Sequence, residues 1–205
     1  MDSSYSQSGR ACRAVGSAGE LVRNHDGSFE TAISWRYALA PPDLARGSFA
    51  EGFTGDGVVT SVAVFLTTAN SNSIPRPDIY VWESVDSSPG PVIAVVPDVH
   101  WGPIAFWPAV NRHEVAITAP VTGAFFAGIW PNYGDDIYYV AADTNGPGGQ
   151  PRTKVPEGQA WPVGWYDVDQ VVEGGAQAMG IEVQVESNPT PVRSTTWGRV
   201  KAMYR

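Results

Sequence analysis

Short runs in which apolar and polar residues alternate are the feature that most constrains this chain. The clearest run covers 178–186, where every second residue is apolar and the residues between are glycine, glutamate or glutamine. A period of two fits an extended strand with one face packed inward and the other in water. The run at 29–37 alternates in the same way. We therefore expect a chain built from strands rather than helices.

Clusters of Gly, Pro, Asn and Asp separate these runs at the intervals typical of β-sandwiches. The run at 123–130 is apolar on both faces, which favours a central strand covered from both sides. The 22 glycines, 17 prolines and low charged fraction of 17% agree with many short strands and turns. We predict an all-β, jelly-roll-like sandwich of two antiparallel sheets, with strands over 29–37, 58–67, 78–83, 91–96, 113–118, 123–130, 136–142 and 178–186.

A length of 205 residues requires only one domain. Residues 1–19 are rich in Ser, Gly and Ala and predict a flexible N-terminal arm, followed by the sandwich over 20–187. Residues 188–205 predict a Pro-containing linker and a short C-terminal helix. Cys12 is the only cysteine, so a disulfide could join only two chains. The candidate residues for self-assembly are Cys12 and one stripe of the C-terminal helix, formed by Trp197, Val200 and Tyr204.

The net charge of the chain limits the classes of partner that it can bind. With 13 basic and 21 acidic residues the formal net charge is −8, which argues against nucleic acid and anionic membrane surfaces as partners. No apolar run approaches the length of a membrane helix, so we expect no membrane insertion. The N-terminus lacks the apolar segment of a signal peptide, so an extracellular location would need a signal that this sequence does not contain.

Catalytic motifs are not evident in the sequence. We find neither the nucleophile elbow of hydrolases, nor a zinc-protease helix, nor a phosphate-binding glycine loop, and we assign no catalytic residue. A glycosidase would need two carboxylates across a groove. The acidic residues that could be considered are explained equally well as outward strand positions; they are Glu30, Glu51, Asp78 and Glu83.

Calcium is the cofactor that the sequence best supports, because clustered Asp and Asn side chains supply the hard oxygens that it binds. The same residues are also common in ordinary turns, and we expect a turn first and a metal second. The candidate calcium ligands are Asn24, Asp26, Glu30, Asp143 and Asn145.

Aromatic residues are abundant, and many lie in or beside predicted loops. Exposed rings can stack on sugars or anchor a protein partner, although loop aromatics also cover sheet edges. The candidate ligand-binding platform comprises Trp101, Trp107, Trp130, Tyr133, Trp161 and Trp165.

Several segments resemble modules of known proteins. The segments DGSFETAISWRY, PDIYVWES with SPGPVIAVV, TGAFFAGIW and YYVAADTNGPGGQPRT are similar to β-sandwich modules of secreted bacterial proteins, in the style of carbohydrate-binding and pre-peptidase C-terminal jelly rolls. The resemblance covers 24–186, and the tail TTWGRVKAMYR is similar to the end of such exported chains. It implies an extracellular binding or adhesive role rather than catalysis.

Three functions follow from these observations. The first is a non-catalytic extracellular binding or adhesion module that holds a polysaccharide or surface glycan. The second is a subunit that binds copies of itself in a surface filament, layer or shell. The third is a glycan-active hydrolase.

Overall fold

The computed structural model describes residues 19–35, 47–69, 76–131 and 138–187. Two antiparallel sheets pack face to face over this part of the chain, which confirms the predicted all-β sandwich. The predicted C-terminal helix and residues 1–18 of the predicted arm lie outside the described residues. Among the described residues, no helix has the length and apolar character that crossing a membrane requires.

Within the described residues, the first sheet, sheet A, has seven strands, which we number with the others in chain order. Five form its main path, in the order β1 (Glu20–Arg23), β13 (Ile181–Glu186), β4 (Gly57–Thr67), β9 (Tyr139–Asp143) and β12 (Ala178–Met179). The other two pair at its side, β2 (Thr31–Ile33) with β9 and β7 (Asn111–Val121) with β4.

The second sheet, sheet B, has six strands in one continuous order over the described ranges. They are β11 (Gly164–Asp167), β10 (Arg152–Val155), β3 (Ser48–Thr54), β8 (Ala124–Trp130), β5 (Asp78–Val85) and β6 (Ser88–Val96). A single helical turn, α1 (Val168–Val171), follows β11. Strand β8 is central between β3 and β5, as its two apolar faces predicted.

The strand predictions located the longer strands of both sheets and missed several shorter ones. Strands β1, β3, β10 and β11 were missed, and the predicted strand at 29–37 is reduced to β2 within the described residues. The run at 178–186 divides at Gly180 into β12 and β13. The polar face of this run was expected to face solvent, but Glu182 is buried beneath Arg112 and His25. Sheet A is therefore covered on part of its outer face.

Glu51 joins the two sheets inside the sandwich. It lies on β3 between the core residues Phe49 and Phe53, and its side chain is buried. Its Oε1 accepts hydrogen bonds from Asn24 Nδ2 at 2.9 Å and Gln150 N at 2.7 Å, and its Oε2 accepts one from Met179 N at 2.8 Å. Since Met179 and Asn24 belong to sheet A and its margin, one carboxyl group ties both layers together.

Two opposed effects set the protonation of Glu51. Burial disfavours the charged form and raises the pKa of Glu51 from 4.5 to about 7, although the N–H donors of Met179, Asn24 and Gln150 favour the carboxylate. The net result is a core acid that titrates near neutral pH. The donors keep the group hydrogen-bonded in the charged state, which limits the cost of its burial.

The raised pKa of Glu51 predicts a pH-dependent stability. Between pH 4.5 and about 7 the folded chain keeps a proton that the unfolded chain releases, so the contribution of Glu51 is greatest below pH 4.5 and is lost as the pH rises to 7. We expect a decrease of about 3 kcal/mol across this window. It is measured as the difference between denaturant unfolding of the wild type and of Glu51→Gln at each pH. The difference removes the opposite contributions of His25 and His113, whose pKa values burial lowers. A difference that does not change with pH would contradict the assignment.

The backbone at Gly149 must approach Glu51 closely. A Cβ at this position would lie 2.1 Å from Glu51 Oε1 and 2.7 Å from Asn24 Cβ. We expect Gly149→Ala to lower the free energy of unfolding by about 2–3 kcal/mol, as overpacking does in a dense core. Gly102→Ala is the matched control, because its Cβ would meet nothing within 4 Å. Equal unfolding midpoints for the two variants would show that the approach is not tight.

Candidate ligand-binding site

The outer face of sheet B carries a second apolar cluster, separate from the core between the sheets. Its buried members are Ala50, Trp82 and Phe126. Three further aromatic residues pack against them and are only partly buried: Tyr80, Trp130 and Trp165. We call the surface formed by Tyr80, Trp82, Trp130 and Trp165 the aromatic trough.

Strand register explains why these residues share one face. Tyr80 and Ala50 each pair with Gly128 on β8, and Trp82 pairs with Phe126 two residues along. Directly paired residues of adjacent strands point to the same side of a sheet. The alternate residues, including Phe49, Phe125 and Ile79, point into the sandwich core. The rings of the trough therefore lie opposite the core.

Sheet B is curved around the trough. Trp165 on β11 and Trp82 on β5 are four strand positions apart, which in a flat sheet would be about 19 Å. Their ring centroids are nevertheless only 5.5 Å apart. Arg152 on β10 also reaches the hairpin between β5 and β6, where its Nε donates to Ser87 O at 2.9 Å. The outer face of sheet B is therefore concave.

Small residues line the floor of this curve. Ala50 and Gly128 face each other across β3 and β8, and Gly52 lies beside the ring of Phe126. A Cβ on Gly128 would lie 2.2 Å from Phe49 O, so no other residue fits there without a shift of the backbone. Glycine in a strand interior often marks such a tight bend. The bend brings the large rings of the outer strands over a narrow floor.

The rings of the trough form a continuous row of contacts from Trp130 to Trp165. Tyr80 and Trp82 are stacked with their centroids 5.0 Å apart and an interplanar angle of 6°. Trp130 lies 6.0 Å from Tyr80 on one side, and Trp165 meets Trp82 edge-on at the other. Since Trp82 is buried and its neighbours are half-buried, the trough offers three partly exposed rings supported from beneath.

Polar groups surround one end of the trough. Arg152 forms an ion pair with Asp167 on the neighbouring strand, and both line an open cavity of about 400 Å³ together with Ser87, Gln150 and Gln177. Burial lowers the pKa of Arg152. Arg152 pairs with Ala50, so its guanidinium group lies on the same face of sheet B as the rings. Aromatic surface with hydrogen-bonding groups on one face is the usual composition of a site for polar organic ligands.

The predicted aromatic platform is only partly assembled. Trp130 and Trp165 belong to the trough, whereas Trp101 is buried against His113 with centroids 5.1 Å apart. Trp107 and Trp161 are exposed elsewhere, the latter against Tyr166. Tyr133 lies outside the described residues, as do the assembly candidates Cys12, Trp197, Val200 and Tyr204. Sequence reasoning missed Tyr80 and Trp82 as platform residues, although their i, i+2 spacing on a strand was a usable signal.

Most of the candidate calcium ligands do come together. Asp26 N donates to Asp143 Oδ2 at 3.0 Å, and Glu30 Oε2 accepts from Thr144 N at 3.0 Å. Asp143 Oδ1 also accepts from the backbone N–H groups of Asn145 and Gly146, at 2.9 and 2.7 Å. Asn24 points away from this loop cluster to Glu51.

Hydrogen bonds close the loop at Asp26. Its Oδ1 accepts from Ser28 N and Ser28 Oγ, both at 2.7 Å, and these two bonds lower the pKa of Asp26. Gly27 follows with a positive φ of 100°, so this segment forms a turn, which the sequence analysis expected ahead of a metal. In the described parts of the chain, no group of three or more His, Cys, Asp or Glu residues could hold a metal ion. The calcium site stays a prediction.

The acidic residues considered for glycosidase chemistry lie in different parts of the fold. Glu51 is enclosed in the core, Glu30 belongs to the loop beside Asp143, and Asp78 and Glu83 lie near opposite ends of β5. Asp78 accepts a hydrogen bond from Asp98 N at 2.8 Å.

Comparison with known proteins yields no relative. The chain matches no protein-family model, and no curated protein or solved structure is significantly similar to it. The trough must therefore be interpreted from its own chemistry.

The Asp143 loop offers a test of the calcium hypothesis. Because three backbone N–H groups donate to its buried carboxylate, we expect Asp143→Asn to cost about 1–3 kcal/mol in free energy of unfolding. The cost should be equal with excess calcium and with a chelator, as measured by thermal unfolding. A wild-type melting temperature that rises with calcium, and a variant that does not respond, would instead support a calcium site.

Proposed function

We propose that this protein is a non-catalytic extracellular binding module that holds a polysaccharide chain in the aromatic trough. The observation that carries the proposal is the set of four rings gathered on one concave sheet face. Sugar rings have apolar faces edged by hydroxyl groups. A site for them needs aromatic surface with polar groups at its margin, and the trough has both.

The charge of the protein supports a glycan over other large ligands. The formal net charge of −8 opposes binding to nucleic acid backbones. Cleavage of a glycan would need two carboxylates across a groove. Glu51 is enclosed in the core, and the other acids considered lie apart from one another, which favours binding of a glycan over its cleavage. Extracellular placement belongs to the same proposal, since polysaccharides and surface glycans are found there.

The trough can be tested with matched tryptophan variants. We expect Trp130→Ala and Trp165→Ala each to weaken binding to the preferred member of a polysaccharide panel by at least about tenfold, as loss of a ring at the centre of an interface does. Isothermal titration calorimetry gives the affinities, and thermal unfolding verifies that each variant is folded.

Trp161→Ala is the control, because Trp161 is 45% exposed and lies outside the trough. It should bind like the wild type. Failure of the wild type to bind any polysaccharide, or equal losses in all three variants, would refute the proposal. Release of reducing sugar would favour the hydrolase alternative.

A further inference from the structure

Lys154 occupies a central place in the trough. It lies on β10, where it pairs directly with Trp165 of β11. Its Nζ lies 4.6 Å from the centroid of the Trp130 ring. Trp130 belongs to β8, which lies on the other side of β3 from β10. The ammonium group is therefore placed between the two tryptophans that we propose to contact the sugar rings.

The charge of Lys154 is not balanced within the described chain. No carboxylate of the described residues forms a salt bridge with Lys154, whose ammonium group lies over the ring of Trp130 in a cation–π contact. The neighbouring cation, Arg152, is paired with Asp167. Asp78 pairs with Trp130 at one end of the face, and its carboxylate accepts the backbone N–H of Asp98. It remains an anion, and burial together with its charge raises the pKa of Tyr80, but it forms no salt bridge with Lys154. Among the described residues, Lys154 is thus a cation of the trough without a salt-bridge partner.

The surroundings of Lys154 strengthen its attraction for an anion. Lys154 is half-buried beside apolar rings, where the effective dielectric constant is lower than in water and a charge pair gains more. The protein as a whole is negatively charged, so long-range attraction does not draw anions to it. Recognition of an anion must therefore come from contact inside the trough.

We propose that the trough selects an acidic polysaccharide, in which the carboxylate or sulfate group of a sugar pairs with Lys154 while the sugar ring stacks on Trp130. This inference rests on the proposed function and names the class of its ligand. In this arrangement Lys154 selects the acidic group of the ligand, and the tryptophans bind the sugar ring.

The test compares acidic polymers with their neutral forms. The probes are polygalacturonate and alginate, each with its carboxyl-reduced form, and carrageenan with its desulfated form. We expect the wild type to bind at least one acidic polymer about tenfold more tightly than the neutral form, as for one partly desolvated ion pair. Binding of the first two identifies a carboxylate, and binding of carrageenan identifies a sulfate.

Variants of Lys154 separate charge from packing. Lys154→Met keeps the apolar stem and should bind acidic and neutral forms equally, whereas Lys154→Arg should keep the preference. Arg23→Met is the matched control: it also removes one positive charge, but Arg23 lies on sheet A beside Glu182. It should leave the preference unchanged.

The possible failures are distinguishable. Equal wild-type binding of acidic and neutral forms, or a preference that survives Lys154→Met, would overturn this inference and leave the proposed function standing. Absence of binding to every acidic and neutral polymer would overturn both. Salt gives a second readout, since the wild-type preference should decrease at high ionic strength, whereas Lys154→Met should bind the acidic and neutral forms equally at every ionic strength.

Discussion

The curvature of sheet B is the constraint on which the candidate site depends. Rings from β5, β8 and β11 meet because the sheet bends over a floor of Ala50 and Gly128. The bend requires glycine at 128, where any Cβ would meet the backbone of β3. A flat sheet built from the same strands would hold Trp82 and Trp165 too far apart to touch. The binding surface is thus a property of the backbone as much as of its side chains.

The curved sheet is held on its other face by a polar contact. Glu51, on the same strand as Ala50 but pointing inward, accepts hydrogen bonds from Asn24, Gln150 and Met179. Hydrophobic packing alone can let two sheets slide past each other, whereas a buried acid with fixed donors has few alternative positions. The two neighbouring residues therefore serve different faces: Glu51 fixes the sheet to its partner and Ala50 leaves room for the rings.

The fold was predictable from sequence where one physical pattern dominates. Apolar patterning located β4, β5 and β8: β8 was found because both of its faces are apolar, and each of the three packs on the core along most of its length. It failed for β3, whose sequence SFAEGFT places a glutamate and a glycine on buried positions. Burial of Glu51 depends on donors distant in sequence, which a local pattern does not contain. The trough was predictable only in part for the same reason. Trp130 and Trp165 were predicted as residues of the ligand-binding platform, but their contacts with Tyr80 and Trp82 depend on the curvature and strand order of sheet B.

The most direct test of the central claim is a nitrogen-15 NMR titration that observes the indole N–H groups of the tryptophans, with acidic oligogalacturonate and neutral cello-oligosaccharide as ligands. If the concave face binds sugar, the signals of Trp130 and Trp165 will move with at least one ligand, while those of Trp107 and Trp161 stay in place. Movement of Trp107 or Trp161 alone, or no movement of any indole signal, would contradict the account.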